Sequence, residues 1–114
     1  INIYYFKNIM IDAIIKSVLE KLDELKAENV KIINLEKRNL LFSKAILATG
    51  SSSRHVLSLS DNISDLLKQE YKIYTRSEGH ASGEWILIDA EKFIINIFQT
   101  EAREKYSLEE VWKR

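Results

Sequence analysis

The sequence predicts an α/β domain in which a mixed β-sheet of about five strands is flanked by helices. Three observations carry that expectation. Two segments repeat apolar residues at helical spacing, short runs rich in Ile and Val alternate with them, and no internal linker or repeat breaks the chain. At 114 residues the chain suits one hydrophobic core and is too short for two.

The first segment sets Ile11, Ile14, Ile15, Val18, Leu22 and Leu25 on one helical stripe, with Lys16, Glu20, Lys21 and Glu24 off it. A helix is therefore expected from Met10 to Ala27. Residues 1–9 precede the pattern and are read as an N-terminal extension, with 10–114 as the single domain. The apolar run Ile1–Phe6 is too short to span a bilayer and lacks the basic start and cleavage site of a signal peptide. The expected location is cytoplasmic, with no membrane partner.

Val30–Leu35 reads as a strand and Glu36–Asn39 as a polar connection. Ser43–Thr49 is a second strand, so apolar in its second half that a central place in the sheet is expected. After Gly50–Ser53 the stripe resumes at Val56, Leu59, Ile63, Leu66 and Leu67, giving a helix over Ser52–Gln69. Tyr71–Thr75 is read as a third short strand. Arg76–Gly83 holds two of the three glycines and is read as the longest flexible loop. Glu84–Asp89 and Lys92–Phe98 flank the dipeptide Ala90-Glu91, which is hairpin spacing. In the tail, Ser107 followed by Glu110 is a capping box that starts a terminal helix.

Composition narrows the function. Hydrophobic residues make up 46% and charged residues 30%, an ordinary globular balance. Seventeen Lys and Arg match seventeen Asp and Glu for a net charge of zero, without the basic excess of a phosphate-binding surface. Little direct nucleic-acid binding is expected. With no Cys there is neither a disulfide scaffold nor thiolate chemistry. His55 and His80 lie far apart and form no ligand pair, so no metal and no cofactor is expected.

Two regions carry candidate chemistry. Thr49–His55 ends a strand and opens a helix, where backbone donors and Arg54 suit a phosphate. That gives one functional hypothesis, a nucleotidyl- or phosphoryl-transfer enzyme using the Gly50–Arg54 turn. No paired carboxylates follow to hold metals, and no elbow or third residue makes His55 and its neighbouring serines a nucleophilic pair. The structural reading is preferred: Gly50 relaxes the turn and a serine caps the helix. The second region gathers Trp85, Phe98, Tyr106 and Trp112 in the last third of the chain. Burial explains such aromatics, and so does a docking surface rich in Trp, Tyr and Arg. Pattern alone does not decide.

Three strings resemble the ribosomal silencing factors of the Iojap family: Thr49-Gly50-Ser51-Ser52-Ser53-Arg54-His55-Val56, Glu84-Trp85-Ile86-Leu87-Ile88-Asp89, and the ending Arg103–Trp112. The resemblance covers Met10 to Trp112. It implies a nucleotidyltransferase-like fold without catalytic carboxylates, and a protein that is not an enzyme. It implies binding to the large ribosomal subunit through ribosomal protein L-fourteen, which blocks joining of the small subunit and represses translation under nutrient limitation. It also implies a homodimer when free. Carried over by position, the partner surface comprises Trp85, Asp89, Ala90 and Glu91, with Arg103 and Tyr106 as further candidate contacts and Phe98 in the core. Three departures from the family pattern stand out, those at Ala90 and Glu91-Lys92 falling at or beside this surface. Where relatives carry D-x-G-D, this chain has Asp89-Ala90-Glu91-Lys92, with Ala90 where a larger apolar residue is common, and Asn96 replaces a usual His.

Overall fold

The computed structural model describes residues 3–37 and 41–106, with side chains described from Met10 to Lys105. Its elements are α1 (Ile3–Glu24), β1 (Glu28–Asn34), β2 (Lys44–Gly50), α2 (Ser53–Tyr71), β3 (Arg76–Glu78), β4 (Trp85–Asp89), β5 (Phe93–Gln99) and α3 (Thr100–Tyr106). The five strands form one mixed sheet in the order β1-β2-β5-β4-β3. The β2–β5 pair is parallel and the other three pairs are antiparallel. The expected α/β class and five-stranded mixed sheet are therefore observed.

The sheet has two different faces because side chains alternate along each strand. One face presents Ile46 and Ala48, Ile86 and Ile88, and Ile95 and Ile97, and is covered by α1 and α2 through Ile15, Val18, Leu22, Val56, Leu59, Ile63 and Leu67. The second face presents Ala45 and Leu47, Ile94 and Phe98, with Ile33 and Leu35 from the β1 side, and packs against Ala102 of α3. Strand β5 is buried at six consecutive positions since both of its faces are covered. It is the middle strand. β2, expected to be central, is interior but sits one place off centre.

Several boundaries differ from the sequence reading, each for a local reason. Helix α1 begins at Ile3 rather than Met10; no Pro or Gly stands in this stretch to stop it. Tyr71 does not open a strand but closes α2, after which Lys72 takes a left-handed conformation (φ 58°) and its N–H bonds the carbonyls of Leu67 and Lys68. The third strand follows at Arg76–Glu78, inside the segment expected to be loop, because pairing with β4 supplies its hydrogen bonds. The hairpin β4–β5 forms as its spacing implied. Helix α3 starts at Thr100, directly after β5. Ser107, Glu110 and Trp112 lie outside the described residues.

Candidate functional site

The Thr49–Val56 string folds into a joint between β2 and α2 in which Gly50, Ser52 and His55 serve the fold. Ser52 is the N-cap of α2, its hydroxyl accepting from the His55 N–H at 3.1 Å. Gly50 has no positive φ; its role is close approach. A Cβ there would stand 2.8 Å from Val56 Cγ2 and 3.0 Å from Val56 N. His55 acts as a clamp. Its Nδ1 accepts the Ser51 backbone N–H at 2.9 Å and its Nε2 donates to the Leu25 carbonyl at 2.8 Å, tying this turn to the end of α1. The Ser51 hydroxyl lies 3.2 Å from Nδ1, which looks like a nucleophile and base. The acceptor nitrogen is already engaged by a backbone donor, and the opposite nitrogen is spent on a carbonyl rather than on an orienting carboxylate. At the mouth of the same helix, a Cβ on Gly83 would stand 3.0 Å from Ser53 Cβ, so the β3–β4 loop packs against the first turn.

The other end of the sheet is open. The β4–β5 turn is rigid: Ala90 N–H donates to the Phe93 carbonyl at 3.0 Å and Asp89 Oδ1 accepts the Glu91 N–H at 2.9 Å. Lys92 N–H also donates to the Ala90 carbonyl at 2.9 Å. That bond spans Glu91, whose φ is 69°, which is the geometry of a γ-turn. The β1–β2 loop is stapled to this turn. Both the backbone N–H and the hydroxyl of Ser43 donate to the Lys92 carbonyl, at 2.7 and 3.0 Å. On the other side Arg76 of β3 pairs with Asp89 across the sheet edge. These restraints frame a groove of about 480 Å³ lined by Leu41, Phe42, Tyr74, Arg76, Asp89, Glu91 and Lys92. Leu41 is 74% exposed and Tyr74 67% exposed, so the groove mixes exposed apolar side chains with charges of both signs.

The expected partner residues fall into separate places. Asp89 and Glu91 line the groove. Trp85 is on the same face of β4 as Asp89 but four residues away, which is about 13 Å along a strand. It is half-buried, stacked on Phe98 with ring centroids 5.1 Å apart, and its Nε1 donates to Asn96 Oδ1 at 3.1 Å. Ala90 is 2% exposed and belongs to the core under α1 and α2, so its side chain offers nothing to a partner in this conformation. Arg103 is also buried, at 8%, and its Nη1 donates to the Asn29 carbonyl and to Thr49 Oγ1. It cross-links α3 to β1 and β2. Tyr106 closes α3, and its side chain falls outside the described residues. Phe98 is fully buried, as expected.

Leu41, Tyr74 and Arg76 were not singled out by the sequence. An exposed Leu in one segment and a Tyr and Arg in another carry no common signal until pairing of β3 with β4 and the Ser43 staple bring them together. Among the described residues no helix is long and apolar enough to cross a membrane.

Comparison with known proteins supplies what geometry alone does not. Residues 9–114 match the family described as ribosomal silencing factor during starvation. A ribosomal silencing factor of Chromobacterium violaceum is 33% identical over 102 residues, covering 90% of this chain and 84% of its own length. A crystal structure from Chromobacterium violaceum superposes with a TM-score of 0.85 at 32% identity, covering 90% of this chain and 85% of that one. A mitochondrial Iojap-related protein of Arabidopsis thaliana is 27% identical over 95 residues, covering 80% of this chain and 52% of its own length.

Proposed function

The chain belongs to the family of ribosomal silencing factors, and from that premise we propose that it is an anti-association factor of the large ribosomal subunit. It binds that subunit through ribosomal protein L-fourteen, blocks joining of the small subunit and represses translation when nutrients are limiting. Its contact surface is the groove at the β4–β5 turn, with Asp89 and Glu91 as the carboxylates presented to the partner and Trp85 further along the same strand face.

The observation that carries this reading is the turn itself. Two carboxylates are held on a backbone fixed by five hydrogen bonds, beside the exposed Leu41 and Tyr74. Exposed Leu and Tyr side chains beside charged groups suit a protein–protein contact, and a surface already held in place loses less entropy on binding. Carboxylates suit the basic side chains of a ribosomal protein and steer its approach. The zero net charge supports contact with protein more than with RNA.

Transfer chemistry at Gly50–Arg54 has less support. The Ser51–His55 contact offers no free base, since both ring nitrogens of His55 are already engaged by the backbone, and the Ser52 hydroxyl already accepts the His55 N–H at the helix start.

Co-pelleting with isolated large and small subunits tests the proposal. Saturable recovery with the large subunit and none with the small one is expected. Equal recovery with both, or with neither, would refute it.

A further inference from the structure

Asn96 stands at the middle of β5, in register with Leu47 of β2 on one side and Leu87 of β4 on the other. It is fully buried, on the sheet face that carries Trp85 and Phe98. Its Oδ1 accepts the indole N–H of Trp85 at 3.1 Å. Its Nδ2 is buried with no hydrogen-bond partner. Exchanging the two amide atoms does not help, since it would set an N–H donor against the Trp85 N–H.

This is a poor arrangement for stability alone. A buried donor left unmade costs more than one neutral hydrogen bond contributes, and Leu has nearly the same volume with no such cost. What the amide does supply is direction. Stacking on Phe98 at an interplanar angle of 27° fixes the plane of the indole only loosely, because offset aromatic pairs tolerate sliding. The bond from Nε1 to a side chain locked inside the sheet fixes which edge of the ring points inward and which edge is left at the half-exposed surface.

We infer that Asn96 is a positioning residue: it orients Trp85 so that the outer edge of the indole is presented to the partner. The inference rests on the proposed reading that the Trp85 face meets the large subunit. Asn96 touches no partner itself and acts only through Trp85.

Asn96→Leu and Asn96→His test it, each read in three ways. Thermal unfolding reports the fold, proton exchange at the indole Nε1–H by NMR reports the ring, and co-pelleting with large subunits reports affinity. Trp85→Phe assigns the indole signal. Asn96→Leu is expected to melt no lower than wild type, to expose the Trp85 N–H to faster exchange, and to bind about fivefold more weakly or worse, the factor that about 1 kcal/mol makes in affinity. Asn96→His returns an acceptor to the site and is expected to restore both ring protection and affinity. Unchanged indole exchange in Asn96→Leu would overturn the positioning role. So would wild-type affinity with a released ring, or a loss of affinity that follows a loss of thermal stability in both variants. Failure of the wild-type chain to bind at all would show itself before any variant is compared, and would strike the functional reading instead.

Discussion

Glu91 is one of four non-glycine residues with positive φ among the described residues, and replacing it with glycine should make the protein more stable. Its φ of 69° lies in the left-handed region, and the Lys92-to-Ala90 hydrogen bond across it holds it there. A residue with a Cβ costs roughly 1–2 kcal/mol in such a conformation. Glycine avoids that cost but loses more backbone entropy on folding, roughly 0.5–1 kcal/mol. The net expectation for Glu91→Gly is a gain of about 0.5–1 kcal/mol, or a rise of roughly 2–5 °C in Tm for a chain of this size. Glu91→Ala serves as the control. It removes the same carboxylate and keeps the Cβ, so it should leave stability within about 0.5 kcal/mol of wild type. Thermal and urea unfolding followed by circular dichroism measure both. A Tm for Glu91→Gly at or below that of Glu91→Ala would refute the idea that backbone strain resides at this turn. The same comparison bears on docking, since both variants lose the charge and only one relaxes the turn.

Other substitutions separate fold from site. Gly50→Ala should destabilise the protein by about 1–3 kcal/mol, because the new methyl collides with Val56 and with its backbone; a urea midpoint equal to wild type would contradict the packing described. His55→Ala removes the clamp between Leu25 and Ser51 and should cost about 1–3 kcal/mol in unfolding free energy, while the folded fraction still binds large subunits normally. Asp89→Asn keeps the oxygen that accepts the Glu91 N–H but loses the charge. It should preserve Tm, weaken large-subunit binding roughly three- to tenfold and flatten the salt dependence of association, and an unaltered salt dependence would remove Asp89 from the contact.

Local rules made much of the fold legible. The stripes Ile14–Leu22 and Val56–Leu67 became the buried faces of α1 and α2, and the spacing of Asp89 and Lys92 set the hairpin. Tyr71–Thr75 misled because an aromatic, β-branched run looks like a strand, whereas Lys72 could take the left-handed cap that ends α2. Strand β3 was hidden because its three exposed residues carry no apolar alternation and depend on β4 for their pairing. Arg103 illustrates the harder limit. The resemblance offered it as a further candidate contact, yet its partners are Asn29 and Thr49, separated from it by 74 and 54 residues. Only tertiary packing brings the three together. The groove had the same difficulty: Asp89 and Glu91 were visible, but Leu41 and Tyr74 joined them through the Ser43–Lys92 staple and the β3–β4 ladder. The string most useful for recognising the family, Thr49–Val56, forms the joint between β2 and α2.

On the proposed function, occupation of the large subunit by this groove prevents the two subunits from joining. Sucrose-gradient sedimentation of purified large and small subunits, mixed with increasing protein, measures it directly. The wild-type chain should deplete the joined-ribosome peak and migrate with free large subunits. Tyr74→Ala, which truncates a 67% exposed side chain at the groove and leaves the core untouched, should require a markedly higher concentration for the same depletion. An undiminished joined peak at saturating wild-type protein would contradict anti-association outright. Equal potency of the two chains would move the contact away from this groove.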